Sequence, residues 1–171
     1  MNFPKRKRLM PTTNAVPHAL PQELLATPIR YMKGSWPFYW ISQVNGRYVQ
    51  VLERRLKPIG LDMPRWRVLM ALYEDGYLSI SRIAEAAVLK LNTTTKIVQR
   101  MIGEGLVTTR QGLEDARVTE VTLTQAGEVL RHRALAEAQK ILTRSFVNIS
   151  SEELTQLNNL LEKVLSQLEG A

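Results

Sequence analysis

The sequence predicts a mainly α-helical chain with a minor β component (mainly α, α+β minor), and three observations carry that expectation. Apolar residues recur at three- and four-residue steps over most of the chain from Trp36 onward, the signature of amphipathic helices. One stretch, residues 106–123, is rich in β-branched residues and divided by a polar loop, as a single hairpin would be. Proline, glycine and hydroxyl residues fall between the apolar runs, where helices start and stop.

The first helix starts at Trp36. Phe38, Ile41, Val44, Tyr48, Val51, Leu52 and Leu56 form its apolar stripe, and Pro58 and Gly60 end it. Pro64 opens a second helix at an N1-like position, with Trp66, Leu69, Met70 and Tyr73 facing inward. Asp75-Gly76 signals a turn, and Leu78-Ser79-Ile80 is long enough only for a scrap of strand. Ser79 or Ser81 caps a short helix whose apolar positions are Ile83, Ala84, Ala87 and Val88.

Asn92 is a good N-cap for the next helix, Thr93 to Glu104, with Ile97, Val98, Met101 and Ile102 as its buried stripe. Gly103 and Gly105 mark its end. The hairpin pairs residues 106–110 with 117–123 around the loop 111–116. Thr124 caps a long helix to about Phe146. Ser150-x-x-Glu153 is a capping box. Leu154, Leu157, Leu161, Val164 and Leu168 follow at coiled-coil-like spacing.

This order of elements is a winged helix-turn-helix lobe, residues 63–123, flanked by helices in 36–62 and 124–171. The flanking helices have nothing in the sequence to cover their apolar faces but each other or a second copy. They are therefore expected to form a helical dimerisation region, because symmetric partners bury identical faces. Such a homodimer would present two reading helices about one turn of DNA apart, which suits a palindromic operator in double-stranded DNA.

Charge supports a polyanionic partner. The 171 residues carry 23 Lys and Arg against 16 acids, a net +7. Most of that excess sits in residues 1–35, an arm with six basic residues, one acid (Glu23) and five prolines. After its cluster Lys5–Arg8 comes Pro11-Thr12-Thr13-Asn14, not the apolar stretch of a signal peptide. Apolar runs reach only about six residues against the roughly 20 that a membrane span needs. A soluble, cytoplasmic protein without membrane partners is expected.

Chemistry is excluded by what the chain lacks. With no cysteine and only His18 and His132, thiol redox, thiolate zinc and histidine metal sites are not expected. No phosphate-cradling glycine loop, nucleophile elbow or His-Glu-x-x-His motif occurs, so neither an enzyme nor a cofactor is expected.

The residues suited to DNA lie on the third helix of the lobe. No acid occurs between Glu85 and Glu104, where Lys90, Lys96 and Arg100 stand. On a 3.6-residue period Thr95, Lys96 and Gln99 cluster opposite Ile97, Met101 and Ile102, with Thr93 and Arg100 at the flanks; Asn92, at the helix start, is a DNA-binding candidate with them. Hydroxyls and lysine reach phosphates, glutamine can pair with adenine, and arginine can be bidentate on guanine. Arg117 at the hairpin tip suits a narrow minor groove. Asp115 either holds that guanidinium or caps the turn by accepting backbone N–H bonds; otherwise the two are a local surface pair.

The run from Asp115 through Arg117 to Leu123-Thr124 and Gly127 resembles the wing-to-helix signature of the MarR family of bacterial transcription regulators. That signature is Asp-x-Arg, five residues, then Leu-Thr-x-x-Gly. Ile83-Ala84 and Glu104-Gly105-Leu106-Val107 look like two further family positions, so the resemblance spans roughly residues 38–168. Ala116 stands where many members carry a second arginine, and the arm before Trp36 is longer than usual. The resemblance implies an obligate winged-helix dimer. It also implies that small anionic aromatic compounds bind between the dimer helices and the DNA-binding lobe. Five of the eleven aromatics fall between Tyr31 and Trp40, and Arg47, Arg65 and Arg67 lie on neighbouring helices. Trp36, Tyr39, Trp40, Arg47, Trp66 and Arg67 are accordingly candidate ligand residues for a phenolic carboxylate.

The expectation is a dimeric sequence-specific transcriptional regulator, a repressor released by a small aromatic acid. A winged-helix module for protein assembly, without sequence-specific DNA binding, is the alternative.

Overall fold

The computed structural model describes residues 34–73, 76–113 and 115–170. Residues 1–33 lie outside this range, and with them the Lys5–Arg8 cluster and Tyr31; so do Asp75 of the expected turn and Glu114 of the hairpin loop.

Helix α1 (Pro37–Leu56) leaves through one 3-10 turn, Lys57–Ile59, that holds Pro58. Helix α2 (Met63–Ala71) opens because the Asp62 carboxylate accepts the Arg65 backbone N–H at 2.9 Å, satisfying one of the free donors of its first turn. Strand β1 (Leu78–Ser79) runs directly into α3 (Ile80–Ala87), whose cap is Ser79, accepting the Arg82 N–H at 3.3 Å. Helix α4 (Leu91–Gly103) and the hairpin β2 (Val107–Gln111) and β3 (Thr119–Leu123) complete the lobe.

Helix α5 (Gln125–Ser145) starts at Thr124, which accepts the Gly127 N–H at 3.1 Å. Helix α6 (Ser151–Glu169) carries the reciprocal capping box. There the Ser150 N–H donates to Glu153 at 2.8 Å, and the Glu153 N–H donates back to Ser150 Oγ at 3.2 Å.

The three strands are antiparallel in the order β1-β3-β2. Leu78 faces Val121, and Val107 faces Leu123. The two-residue β1 is thus an edge that ties the start of α3 to the wing.

One buried cluster joins all the elements but α6. Leu52 and Leu56 from α1, Val68 and Leu69 from α2, Ile83 from α3, Val98 and Met101 from α4, Val107 and Val121 from the sheet, and Ala134 and Ile141 from α5 belong to it. The C-terminal half of α1 therefore packs on the winged-helix lobe. Its N-terminal half does not: Trp36, Phe38, Trp40, Ile41 and Val44 are exposed. Along α6 Leu157, Leu160, Leu161, Val164, Leu165 and Leu168 are all exposed, and only Leu154 of the seam is half-buried. Full burial of one such side chain is worth about 1.5–3 kcal/mol, so this helix forgoes most of its stabilisation on its own chain.

Four side chains depart from the sequence expectation. Asn92 is not the cap of α4; the helix opens two residues earlier, with Lys90 at the N-cap and no side-chain cap bond. Ile102 is exposed, whereas Thr94 is fully buried, its hydroxyl neutralised by donating to the Lys90 carbonyl at 3.1 Å. Val88 is not in the core either. It is 83% exposed and sits at φ 54° in the α3–α4 turn, where a left-handed residue carries its side chain outward. Tyr73, expected inside, lies at the surface with the Arg131 guanidinium over its ring at 4.0 Å.

Candidate nucleic-acid interface

Helix α4 offers its polar face outward. Asn92, Thr93, Lys96, Gln99 and Arg100 are exposed; Thr95 is half-buried, its hydroxyl donating to the Leu91 carbonyl at 3.0 Å. Helices α2, α3, α5 and α6 receive a side-chain cap, but α1 and α4 do not. Its first-turn N–H groups are left without a side-chain acceptor beside Asn92 and Thr93, as a phosphate-binding helix end requires.

Arg100 has protein partners. Its Nε donates to Glu104 at 2.8 Å, and its Nη1 stands 3.8 Å from Asp62. Burial alone would push the Glu104 carboxyl up. The guanidinium groups of Arg65 and Arg100 outweigh that and hold it below the usual carboxylate value.

At the wing, Asp115 Oδ1 accepts the Arg117 backbone N–H at 2.9 Å. Val118 N–H closes the turn onto the Asp115 carbonyl at 3.0 Å, and Gly112 N–H reaches the Val118 carbonyl at 2.8 Å. Of the two roles open to Asp115, the structure shows turn-capping. Arg117 is exposed at the tip. Arg110, lower on the wing, is occupied: it donates to Glu120 at 2.8 Å and lies 3.4 Å over the Tyr77 ring.

The candidate ligand residues lie on two elements, α1 with its N-cap and α2. Trp36, Tyr39 and Trp40 crowd the start of α1, with Trp36 edge-on to Phe38 and Tyr39 edge-on to Trp40 at 5.2 Å. Trp40 donates its indole N–H to the Gly34 carbonyl at 2.9 Å. Arg47, on the same helix, is exposed and bonded to Gln50. Trp66 is buried in the lobe's core, and Arg67 beside it is half-buried.

Sequence reasoning missed one cluster. Arg65 is 9% exposed and links Asp62, Gly60 and Glu104. The short-range pairs Asp62/Arg65 and Arg100/Glu104 are readable as helix spacings, but their meeting across 39 residues is not. Among the described residues no group of three or more His, Cys, Asp or Glu is placed to hold a metal ion, and no helix is long and apolar enough to cross a membrane.

Comparison with known proteins fits this arrangement. The transcriptional repressor IacR of Pseudomonas putida is 45% identical over 139 residues, covering 81% of this chain and 83% of that protein. A MarR-family regulator from Silicibacter pomeroyi superposes with a TM-score of 0.76 at 22% identity, covering 82% of this chain and 96% of that one. A cysteine-to-serine mutant of MarR from E. coli, solved with operator DNA, gives 0.67 at 21% identity, covering 79% and 98%. Bordetella bronchiseptica BpsR, whose DNA binding is regulated by 6-hydroxynicotinic acid, gives 0.64 at 22% identity, covering 74% and 96%. Residues 61–119 match the MarR family's own sequence profile. With its winged helix-turn-helix fold, this chain belongs to the MarR family of transcriptional regulators.

Proposed function

We propose that the protein is a homodimeric repressor that binds a palindromic operator through α4 and the wing of each protomer and is released by a small aromatic acid. The observation that carries DNA reading is the uncapped N-terminus of α4 with Asn92, Thr93, Thr95, Lys96 and Gln99 around it. Arg117 at the wing tip adds a cation one groove away, on a turn that Asp115 holds in shape. The operator complex of E. coli MarR is an example of the same fold on DNA.

Dimerisation rests on α6 and the start of α1, whose exposed leucines and aromatics need a second copy to cover them. On this reading residues 63–123 read DNA, 36–62 and 124–171 dimerise, and the basic arm 1–35 adds charge. The effector reading rests on the aromatic start of α1, which a partner protomer would bring against Arg47, Trp66 or Arg67; BpsR supplies a precedent for an aromatic acid.

The test is selection of bound fragments from sheared genomic DNA, followed by salt titration. Enrichment of an inverted repeat with half-sites about one helical turn apart supports the reading. Binding that barely weakens between about 50 and 200 mM salt contradicts phosphate contact and favours an assembly module. Tryptophan quenching against aromatic acids tests the effector, and no saturable response to any of them would sink it.

A further inference from the structure

We infer that Arg65 and Glu104 form a clamp that sets the pitch of α4 on DNA, and that Arg100 serves this clamp as a positioning residue and does not read a base. The inference rests on α4 being the reading helix.

The clamp has a defined geometry. Arg65 donates from Nε to Asp62 at 3.1 Å, from Nη1 to Glu104 at 2.6 Å and from Nη2 to the Gly60 carbonyl at 2.7 Å. Its three nitrogens thus join the turn before α2, the cap of α2 and the first residue beyond α4. Glu104 spends its second oxygen on Arg100, and Arg100 leans toward Asp62. Two cations and two acids alternate around the cluster, which is neutral as a whole.

Its place explains its effect. The buried side chains of α4 itself are Thr94, whose hydroxyl bonds only within the chain's own turn at Lys90, and the apolar Val98 and Met101, whose contacts carry no direction. Glu104 sits at the far end from Asn92 and Thr93. A helix of 13 residues is about 20 Å long, so a 10° tilt about the clamp moves the reading end by about 3 Å, more than a hydrogen bond tolerates. Only a forked group satisfies three acceptors spread in this way, and lysine, a point charge, would keep the ion pair and lose the geometry.

For Arg100 to fork on a guanine it would have to give up Glu104, held by Nε, or turn Nη1 away from Asp62, 3.8 Å off. Either move would take a cation from a part-exposed carboxylate of the cluster. The base-reading positions are then those nearer the start of α4.

The experiment measures affinity for operator and for random DNA against salt, for the wild type, Arg65→Lys, Glu104→Gln and Arg100→Gln, with melting curves for each. Arg65→Lys is expected to weaken operator binding about tenfold or more, leave random-DNA binding alone, and keep the slope of log K against log salt. Arg100→Gln is expected to lower operator affinity less, with the same slope and an even loss of preference across the half-site. The double variant Arg65→Lys, Glu104→Gln should lose little beyond the worse single one. A slope smaller by about one for Arg100→Gln, or relaxed choice at a single base pair, would show that Arg100 touches DNA and overturn the inference. If the Arg65 and Glu104 variants fail to fold, the exposed Arg100→Gln carries the test alone. A wild type that selects no operator sinks the DNA-reading proposal itself, an outcome separate from these.

Discussion

Gly127 lies against the backbone of Leu106 so closely that a methyl group on its Cα would overlap the Leu106 carbonyl oxygen. Two hydrogen bonds close the same junction: Thr124 Oγ1 donates to the Gly105 carbonyl at 2.6 Å, and Thr124 N–H to the Leu106 carbonyl at 3.1 Å. The Leu-Thr-x-x-Gly pattern thus has a mechanical reason. Thr124 ends the wing, caps α5 and staples both to the turn after α4, and Gly127 lets the helix come in close.

Gly127→Ala is expected to destabilise the fold by about 1–3 kcal/mol, because what it meets is backbone and cannot rotate away. Thr124→Ala should cost about 1 kcal/mol through loss of the cap. Urea titration of both variants checks this, and a Gly127→Ala midpoint equal to wild type would contradict the close approach.

Arg117→Ala should weaken operator binding and lower the salt slope by about one while leaving the oligomeric state unchanged. Asp115→Asn should do much less, since an amide oxygen still accepts the Arg117 N–H. Mobility-shift titrations at several salt concentrations separate the two. Unchanged binding by Arg117→Ala would remove the wing from the interface.

Leu161→Asp places a charge in the middle of the α6 seam. Sedimentation should show loss of the dimer at micromolar concentration, with operator binding lost as a consequence. A variant that stays dimeric would move the interface elsewhere.

Val88 holds a left-handed backbone with a β-branched side chain that packs on little. Val88→Gly should raise stability by about 1 kcal/mol, since the strain it relieves is about 1–2 kcal/mol and glycine gives some back as unfolded-chain entropy. Thermal melts decide the sign.

The carboxyl of Glu104 is held below its ordinary value in the folded state, so its contribution is complete above the unfolded value near 4.3 and is lost as pH falls through the folded one. The stability advantage of wild type over Glu104→Gln should be full at pH 7 and shrink below about pH 4. An advantage that survives at pH 3 would mean that shape, not charge, makes the contact.

Much of this was legible because local chemistry decided it. The α6 capping box and leucine spacing, the Ser79 and Thr124 caps, and the turn at Asp115 depend on neighbours within four residues. Apolarity alone misplaced Ile102 and Val88. A threonine can be buried once its hydroxyl finds the Lys90 carbonyl, and a left-handed turn turns valine outward. The Asn92 cap failed because Lys90 already held the extended geometry that ends the α3–α4 turn. The Arg65 clamp was invisible for another reason: its partners are brought together by the packing of α2 on α4, which no spacing rule contains.

The unburied leucines of α6 have a consequence for how the protein would be regulated by its own abundance. In the proposed dimer, folding of that helix and association are a single step, so melting temperature rises with protein concentration. At low copy number the concentration of dimers able to occupy two half-sites falls with the square of monomer concentration, which makes occupancy of the operator switch more sharply with expression level than a monomeric reader would allow.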